Sequence, residues 1–341
     1  MEKKLKKILL NHFPNSNNDP INWKFILDNS ETSPSIFHLS HTIDYYTAYF
    51  SSENAINLSF VIYDNNHAIG IMPLIAHYDG IIWNLKSNGV EIVEPIFIKS
   101  LAKRVRKKIE KKLINLIYEL ARQLNIRKCQ FVNLDYVKLS NWYLLWSEQA
   151  AEVFSTHHIL VDLSLSLNEI RLKFRKSFKP LINKGLRDWQ IEVHEKVSDE
   201  LFNKFRLLHK SVAGRSTRPI ESWNKQKAQI AAEESFIVSA SDKKNNLIGA
   251  GLFVHSRDRG FYNVGAYKRG LDEKSYGHAI QMKAIETFKK KGLKWYEIGQ
   301  KHLKIDKKMP TKKQIAISHF MEGFATHTIA LQHLIVNVKS A

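Results

Sequence analysis

The sequence predicts a mixed α/β protein built as two domains, on three observations. Its 341 residues are long for one core, and single domains more often run to 100–200 residues. Its 44% hydrophobic content, with seven Trp and eighteen Phe, is enough to fill two interiors and argues against disorder. The two halves also share a pattern. "FVIYDNNHAIGIMPLIAHY" (60–78) and "FIVSASDKKNNLIGAGLFVHS" (236–256) are each a strand, a polar turn and a second strand opening "AIG" or "LIG". In each half a long helix and a further strand come later. The boundary is expected near 148–156, dividing the chain into 1–152 and 153–341.

In chain order, "INLSFVIYDNNHAIGIMPLIAHYDGIIWNL" (56–85) reads as consecutive strands. A helix follows from about Leu101 to Leu124, its stripe formed by Ile109, Leu113, Leu116, Ile117 and Leu120 and its first half basic. "KCQFVNL" is a strand. The second half opens with the strand "HHILVDLSL" (157–165), in which His157 and His158 must face opposite sides. Asn168 is expected to cap a helix running through "LNEIRLKFRKSFKPLINKGL", interrupted or bent near Pro180. "WQIEVHEK" is a strand, "DELFNKFRLLHKSVAG" a helix capped by Ser198 or Asp199, and "SWNKQKAQIAAEE" another helix. "SFIVSASD", "LIGAGLFVHS" and "RGFYNVGAY" are strands. "GHAIQMKAIETFKKKGLKWYEIG" (277–299) is an amphipathic helix ended by lysines and Gly292, then a strand. A Lys-rich loop with Pro310 leads to a last helix.

Lys and Arg number 52 against 33 Asp and Glu, a net charge of +19. Such an excess suits anionic partners such as nucleic acid, a phospholipid surface or phosphorylated small molecules. The single Cys129 cannot form an internal disulfide and fits a reducing compartment. The opening apolar run, Ile8 to Leu10, is too short for a signal-peptide core, and no stretch reads as a transmembrane helix. The expectation is a cytoplasmic protein, with "MEKKLKKILL" as a candidate contact with the inner membrane surface. No phosphate-binding G-x-x-x-x-G-K-[ST] loop, G-x-S-x-G elbow or H-E-x-x-H helix is present, and no histidine pair has metal-ligand spacing, so no metal is expected.

Three stretches concentrate chemistry. "RLKFRKSFKPLINKG" interleaves Arg171, Lys173, Arg175, Lys176, Lys179 and Lys184 with apolar residues, which suits either a polyanion or a solvated face. "LLHKSVAGRSTRPIESWNKQ" (207–226) interrupts a helical pattern with His209, Arg215, Ser216, Thr217, Arg218, Ser222 and Trp223. Arginine forks bind carboxylate or phosphate bidentately, and loops on rigid scaffolds are where such residues collect. The third is the strand end and helix "YEIGQKHLKIDKKMPTKKQIAISHFMEGFATHT" (296–328), with His319 and Phe320 near a glycine.

In one order the chain carries Leu208-His209, Ala213-Gly214-Arg215-Ser216-Thr217-Arg218, Ser222-Trp223, Tyr262-Asn263-Val264-Gly265-Ala266-Tyr267, Tyr296-Glu297-Ile298-Gly299 and Ile317-Ser318-His319-Phe320. This set resembles the FemAB-like branch of the GNAT acyltransferases over most of the second half, and more faintly around 61–78. The resemblance implies two tandem GNAT-like domains, each a mixed, mostly antiparallel sheet flanked by helices, with the active site in the second. It implies transfer of an acyl or aminoacyl group to an amine. Met321 stands where the family has a basic residue, and no coiled-coil arm interrupts the second half. Both departures favour N-acylation of an amino sugar for lipopolysaccharide, capsule or glycoconjugate. Aminoacyl-tRNA-dependent transfer onto peptidoglycan and RNA binding without catalysis stand as the alternatives.

Carried onto this chain, the resemblance gives Arg215 and Arg218 an anionic substrate group, a sugar nucleotide or acyl-CoA, beside Trp223. His209 is the expected base, and Tyr262, Tyr267 and Gln300 line the acceptor groove, Tyr267 and Gln300 within the catalytic set. Arg269, His278, Gln281, Lys301, Lys312, His319 and Phe320 complete the substrate contacts, and Lys312 or Lys313 supplies the charge Met321 lacks. Acyl-CoA is the expected donor, its pyrophosphate cradled just before the helix at 277; tRNA is the other candidate partner.

Overall fold

The computed structural model describes residues 1–268 and 275–338. The chain divides into two compact units, Met1–Ser155 with Leu331–Ala341, and Thr156–Ala330.

The first unit opens with α1 (Glu2–His12), α2 (Pro20–Asp28) and α3 (Ser40–Tyr49). Short strands follow: β1 (Ile56–Asn57), β2 (Phe60–Asp64), β3 (His67–Met72), β4 (Ile75–Tyr78), β5 (Trp83–Lys86) and β6 (Ile96–Phe97). They form two antiparallel sheets, β1-β4-β5 and β2-β3-β6. Then come α4 (Lys103–Gln123), β7 (Lys128–Val132) and α5 (Asn141–Ser147). Leu5, Ile8 and Leu9 of α1 share a core with Ile109, Leu113 and Leu116 of α4. The lysines between them, Lys3, Lys4, Lys6 and Lys7 on α1 and Lys107, Lys108, Lys111 and Lys112 on α4, are exposed. The packed pair therefore turns its charge outward, as helical periodicity requires of a stripe that buries only every third or fourth residue.

β8 (Ala150–Asp162) leads into the second unit, and β14 (His327–Asn337) is the last element among the described residues, pairing with β7 through His333 to Asn337. Between them lie α6 (Leu167–Lys173), α7 (Phe178–Asp188), β9 (Gln190–His194), α8 (Asp199–Ala213), α9 (Ile220–Ala231), β10 (Ser235–Ser241), β11 (Leu247–His255), β12 (Arg259–Tyr267), α10 (Ser275–Lys290), β13 (Trp295–Lys301) and α11 (Lys312–Glu322). The stretch 167–186, expected to be interrupted or bent near Pro180, is interrupted: it forms two helices. Ser166 caps α6 in a reciprocal box with Glu169, where Asn168 was the expected cap. The break falls at 174–177, before Pro180, which sits in the first turn of α7. A proline there forfeits only an N–H that has no helical acceptor.

The second unit's sheet runs β8-β13-β12-β11-β10-β9. Every pairing is antiparallel except β12 with β13. Alternation sorts its residues to two faces. Phe236, Val238 and Ala240 of β10 share a core with Phe178 and Ile182 of α7 and Ile280, Ile285 and Phe288 of α10. Ile237 and Leu252, buried too, lie outside that cluster, where α8 packs on β11 and β12 and α9 on β10. The sheet thus has an α10 face and an α8 face.

α11 closes the α10 face through Phe320 and Phe324, which pack on Phe178 at centroid distances of 5.8 and 4.9 Å. Gly323 makes this possible, because a Cβ there would lie 2.0 Å from the Phe178 ring. Gly323→Ala should therefore lower stability by about 1–3 kcal/mol, the usual cost of overpacking. Denaturant unfolding checks this, and an unchanged midpoint would show that the ring moves aside freely.

Candidate functional site

The parallel ladder between β12 and β13 is only three residues long: Arg259, Gly260 and Phe261 against Trp295, Tyr296 and Glu297. Beyond it the strands separate. Each carries a register irregularity at that point. On β12, Asn263 falls between the pairs Tyr262–Phe253 and Val264–Leu252. On β13, Ile298 falls between Glu297–Leu160 and Gly299–Ile159. A bulged residue bends its strand and leaves main-chain groups outside the ladder. With each strand bulged against its outer neighbour just past a short ladder, β12 and β13 run on without a rung between them, and the sheet is split by a cleft there.

The α8 face of the cleft carries an ionisable pair. Glu297, 8% exposed at the last rung of the parallel ladder, accepts from His158 Nδ1 at 2.6 Å. The other ring nitrogen, Nε2, lies 3.0 Å from Thr156 Oγ1. Gln300 is the cross-strand partner of His158, so the two side chains share this face. Neither Glu297 nor His158 was expected as a site residue. The alternation at His157 and His158 was visible, as was a lone glutamate in an apolar strand. Their meeting depends on a register between strands 139 residues apart.

The α10 face holds aromatic residues. Tyr262 and Tyr267 share a hydroxyl–hydroxyl hydrogen bond of 2.8 Å. Burial pushes the Tyr267 phenol up to about 12 and the Tyr262 phenol well above its ordinary value. Tyr296 donates to Gln281 Oε1 at 2.6 Å. His278, buried, packs edge-on to Phe178 and Phe320 at 4.4 and 5.0 Å. Gly299 meets Met321, whose Sδ would lie 2.7 Å from a Cβ at that glycine. The expected groove lined jointly by Tyr262, Tyr267 and Gln300 is therefore corrected. The tyrosines lie on the α10 face and Gln300 on the other, because Gln300 pairs with His158 while the tyrosines pack with the α10 core.

A third feature stands on α8, α9 and the loop joining them. The Arg218 guanidinium stacks on Trp223, 3.9 Å from the ring centroid. Trp223 is 4% exposed and is held edge-on by Phe202, Phe205 and His209. Arg206, His209, Lys210, Ser216, Thr217, Arg218, Ile220 and Trp223 line a pocket of 70 Å³. It is a cationic recess with a flat aromatic floor, suited to a carboxylate or phosphate. Arg215 is exposed outside it.

Burial lowers the His209 pKa to about 4, helped by the positive charges of Arg218 and Lys313. A neutral imidazole with so acidic a conjugate acid is a weak base. His209 thus reads as part of the Trp223 stack, and its expected role as base finds no support in its surroundings. Burial likewise lowers the pKa of His77, His194 and His255. Each group's folded pKa lies below its unfolded one, so the unfolded chain binds more protons in that range. Stability should be full above pH ~6.5 and fall as pH drops toward ~4. His209→Gln should flatten that decline by about 1 kcal/mol, an allowance already reduced for its half-exposed setting. Melting temperature measured from pH 7.5 to 4.5 checks both.

Of the remaining expected residues, Lys301 pairs with Glu322. His319 is exposed, and its carbonyl accepts from Arg175 at 2.9 Å. Lys312 is exposed, Phe320 half-buried, and Arg269 lies outside the described residues, as does 269–274 where the pyrophosphate cradle was expected. Among the described residues no cluster of three or more His, Cys, Asp or Glu could hold a metal ion.

No family model matches the chain, and no curated protein sequence matches it. Solved structures do. FemX superposes with a TM-score of 0.66 at 9% identity, covering 93% of this chain and 96% of its own. L-PGS from Bacillus licheniformis gives 0.61 at 10% identity, covering 95% and 93%. A tandem GNAT protein from the clavulanic acid biosynthesis pathway gives 0.52 at 11% identity, covering 95% and 97%. The chain shares the two-domain fold of these proteins, FemX and the tandem GNAT protein among them, as its motifs led us to expect.

Proposed function

We propose that this protein transfers an acyl group, most readily an aminoacyl group, from an activated ester to an amine of a cell-envelope precursor. The observation that carries this reading is the cleft where β12 and β13 part, in a chain that shares its fold with FemX and L-PGS. Acyl transfer to an amine needs the two reactants aligned, a proton acceptor and donors for the oxyanion. A cleft inside a sheet suits the first need. The main-chain groups released from the ladder at Asn263 and Ile298 are our candidates for the oxyanion donors. Arg218 and its pocket are our candidate for the anionic end of the acceptor.

The donor choice rests on charge. The exposed lysines of α1 and α4 form a cationic face on the first unit, as a polyanion such as tRNA would require. This is the aminoacyl-tRNA alternative, preferred to transfer from acyl-CoA onto an amino sugar. In the test, full-length protein is incubated with a charged tRNA pool or with acetyl-CoA, together with amine-bearing envelope precursors, and mass spectrometry reads amide formation. Amide from charged tRNA is the expected result; no amide from either donor overturns the proposal. Binding of tRNA should also weaken steeply with salt, and a Lys107→Glu, Lys108→Glu, Lys111→Glu variant should lower both the affinity and the salt slope. An unchanged slope would remove this face as the tRNA contact. Among the described residues no helix is long and apolar enough to cross a membrane, so any contact with a lipid-linked acceptor is proposed as peripheral.

A further inference from the structure

We infer that His158, oriented by Glu297, is the general base that takes the proton from the acceptor amine. This rests on the transfer reading above and assigns a role that its binding residues leave open.

The geometry fixes how the imidazole is set. A carboxylate only accepts hydrogen bonds, so Nδ1, 2.6 Å from Glu297 Oε1, carries the proton. In the neutral ring Nε2 then holds the lone pair, and the Thr156 hydroxyl, 3.0 Å away, donates to it. The order is hydroxyl, imidazole, carboxylate, with the carboxylate holding the ring in the basic tautomer. Thr156 keeps Nε2 hydrogen-bonded until an amine takes its place.

The location supports the role. Glu297 occupies the last rung of the parallel ladder, at the apex of the cleft. His158 faces Gln300, on the stretch of β13 that has left β12. Both lie on the α8 face, which also carries the Arg218 pocket. Two other imidazoles serve that face: His194, tied to Ser239 at the far edge strand β9, and His209, held neutral by burial and by the charges of Arg218 and Lys313. The side chains of His158 and Glu297 are 17% and 10% exposed, so the pair is shielded yet not sealed from solvent.

The amine nitrogen bonds to the acyl carbon as the carbon–oxygen bond of the donor ester breaks. The amine proton passes to His158 Nε2 and from there to the leaving oxygen.

The alternative is a purely structural tie between β8 and β13, and acceptor chemistry separates the two. Glucosamine is largely protonated at neutral pH and needs a base; hydroxylamine is unprotonated and needs little help. With charged tRNA as donor, His158→Gln should lower transfer to glucosamine ~10²–10⁴-fold, the usual contribution of general-base catalysis, and transfer to hydroxylamine less than ~10-fold. Equal losses on both acceptors, or loss on neither, would overturn the assignment. Should His158→Gln not fold, the His158→Gln, Glu297→Gln double variant replaces the hydrogen-bonded imidazole–carboxylate pair by two amides and answers the same question. A single Glu297→Gln substitution keeps the imidazole, and should show a smaller loss with the same preference for hydroxylamine. Wild-type protein that transfers to neither of these acceptors nor to any envelope precursor defeats the transfer reading, and the base with it; wild-type transfer with an indifferent His158 variant defeats the base alone.

Discussion

Arg218→Ala is expected to lower kcat/KM for transfer about 10²-fold, the cost of losing a bidentate charge-assisted contact to an anionic substrate group. The same substitution should cost little stability, because a cation stacked on an aromatic ring contributes ~0.5–1 kcal/mol at a half-exposed site. Arg218→Lys should recover little of the activity. A lysine keeps the charge but cannot lay a planar fork on Trp223 while presenting two parallel donors. The variant carries a second readout at His209, whose pKa is lowered first by burial and then by Arg218 and Lys313. Removing the Arg218 charge should raise that pKa part of the way toward its ordinary value. The acid decline in stability should then become shallower but not vanish, since burial remains. An Arg218→Ala protein with full transfer and a shifted His209 titration would keep the stack as structure and remove the pocket as the anion site.

Much of the second unit was legible because its elements obey one period at a time. The stripe of α10 and the alternation of β10 to β12 follow directly from the side chains, and the polar turn at Asp242–Asn246 marks a hairpin. Elements that mix signals were harder. Both faces of β14 are buried from His333 to Val336, so its alternation is blurred, and it was not expected as a strand. The break between α6 and α7 was placed at Pro180, because proline is the strongest local punctuation; the structure shows it spent harmlessly in a first turn. The candidate site divided the same way. Residue types suited to anions, Arg218 above all, were visible one by one. Which face each residue serves was not, since that depends on register and on two bulges that no local pattern announces. Hence Tyr262 and Gln300, both expected at adjacent strand ends, were grouped together although Tyr262 is mid-strand and they lie on opposite faces. His158 and Glu297 went unpaired for the same reason.

Phe288→Ala should be the most damaging substitution in the second unit away from the cleft. Its side chain is 0% exposed and meets Phe236, Phe253 and Tyr296 at centroid distances of 5.0, 6.1 and 4.9 Å. It also seats against the backbone of Gly260, where a Cβ would lie 2.7 Å from the ring. The ring therefore fills a socket made by four strands, β10 to β13, and backbone pairing holds those strands too firmly for the socket to collapse. Truncating a phenylalanine in such a place costs ~3–5 kcal/mol, the transfer and cavity contributions together. Urea unfolding should show the midpoint falling with the slope unchanged, the sign of lost stability without a change in the surface exposed. Phe288→Leu should recover more than half, since most of the volume returns and the residual mismatch costs less than ~1.5 kcal/mol. The consequence reaches the cleft. Tyr296, which packs on Phe288, stands on the middle rung of the parallel ladder and donates to Gln281. A Phe288→Ala protein that still folds should therefore lose transfer to glucosamine and to hydroxylamine alike. That equal loss is the mark of a displaced cleft, and it separates this substitution from the selective loss expected of His158→Gln. A Phe288→Ala protein with an unchanged midpoint would mean that α10 does not hold the sheet as described.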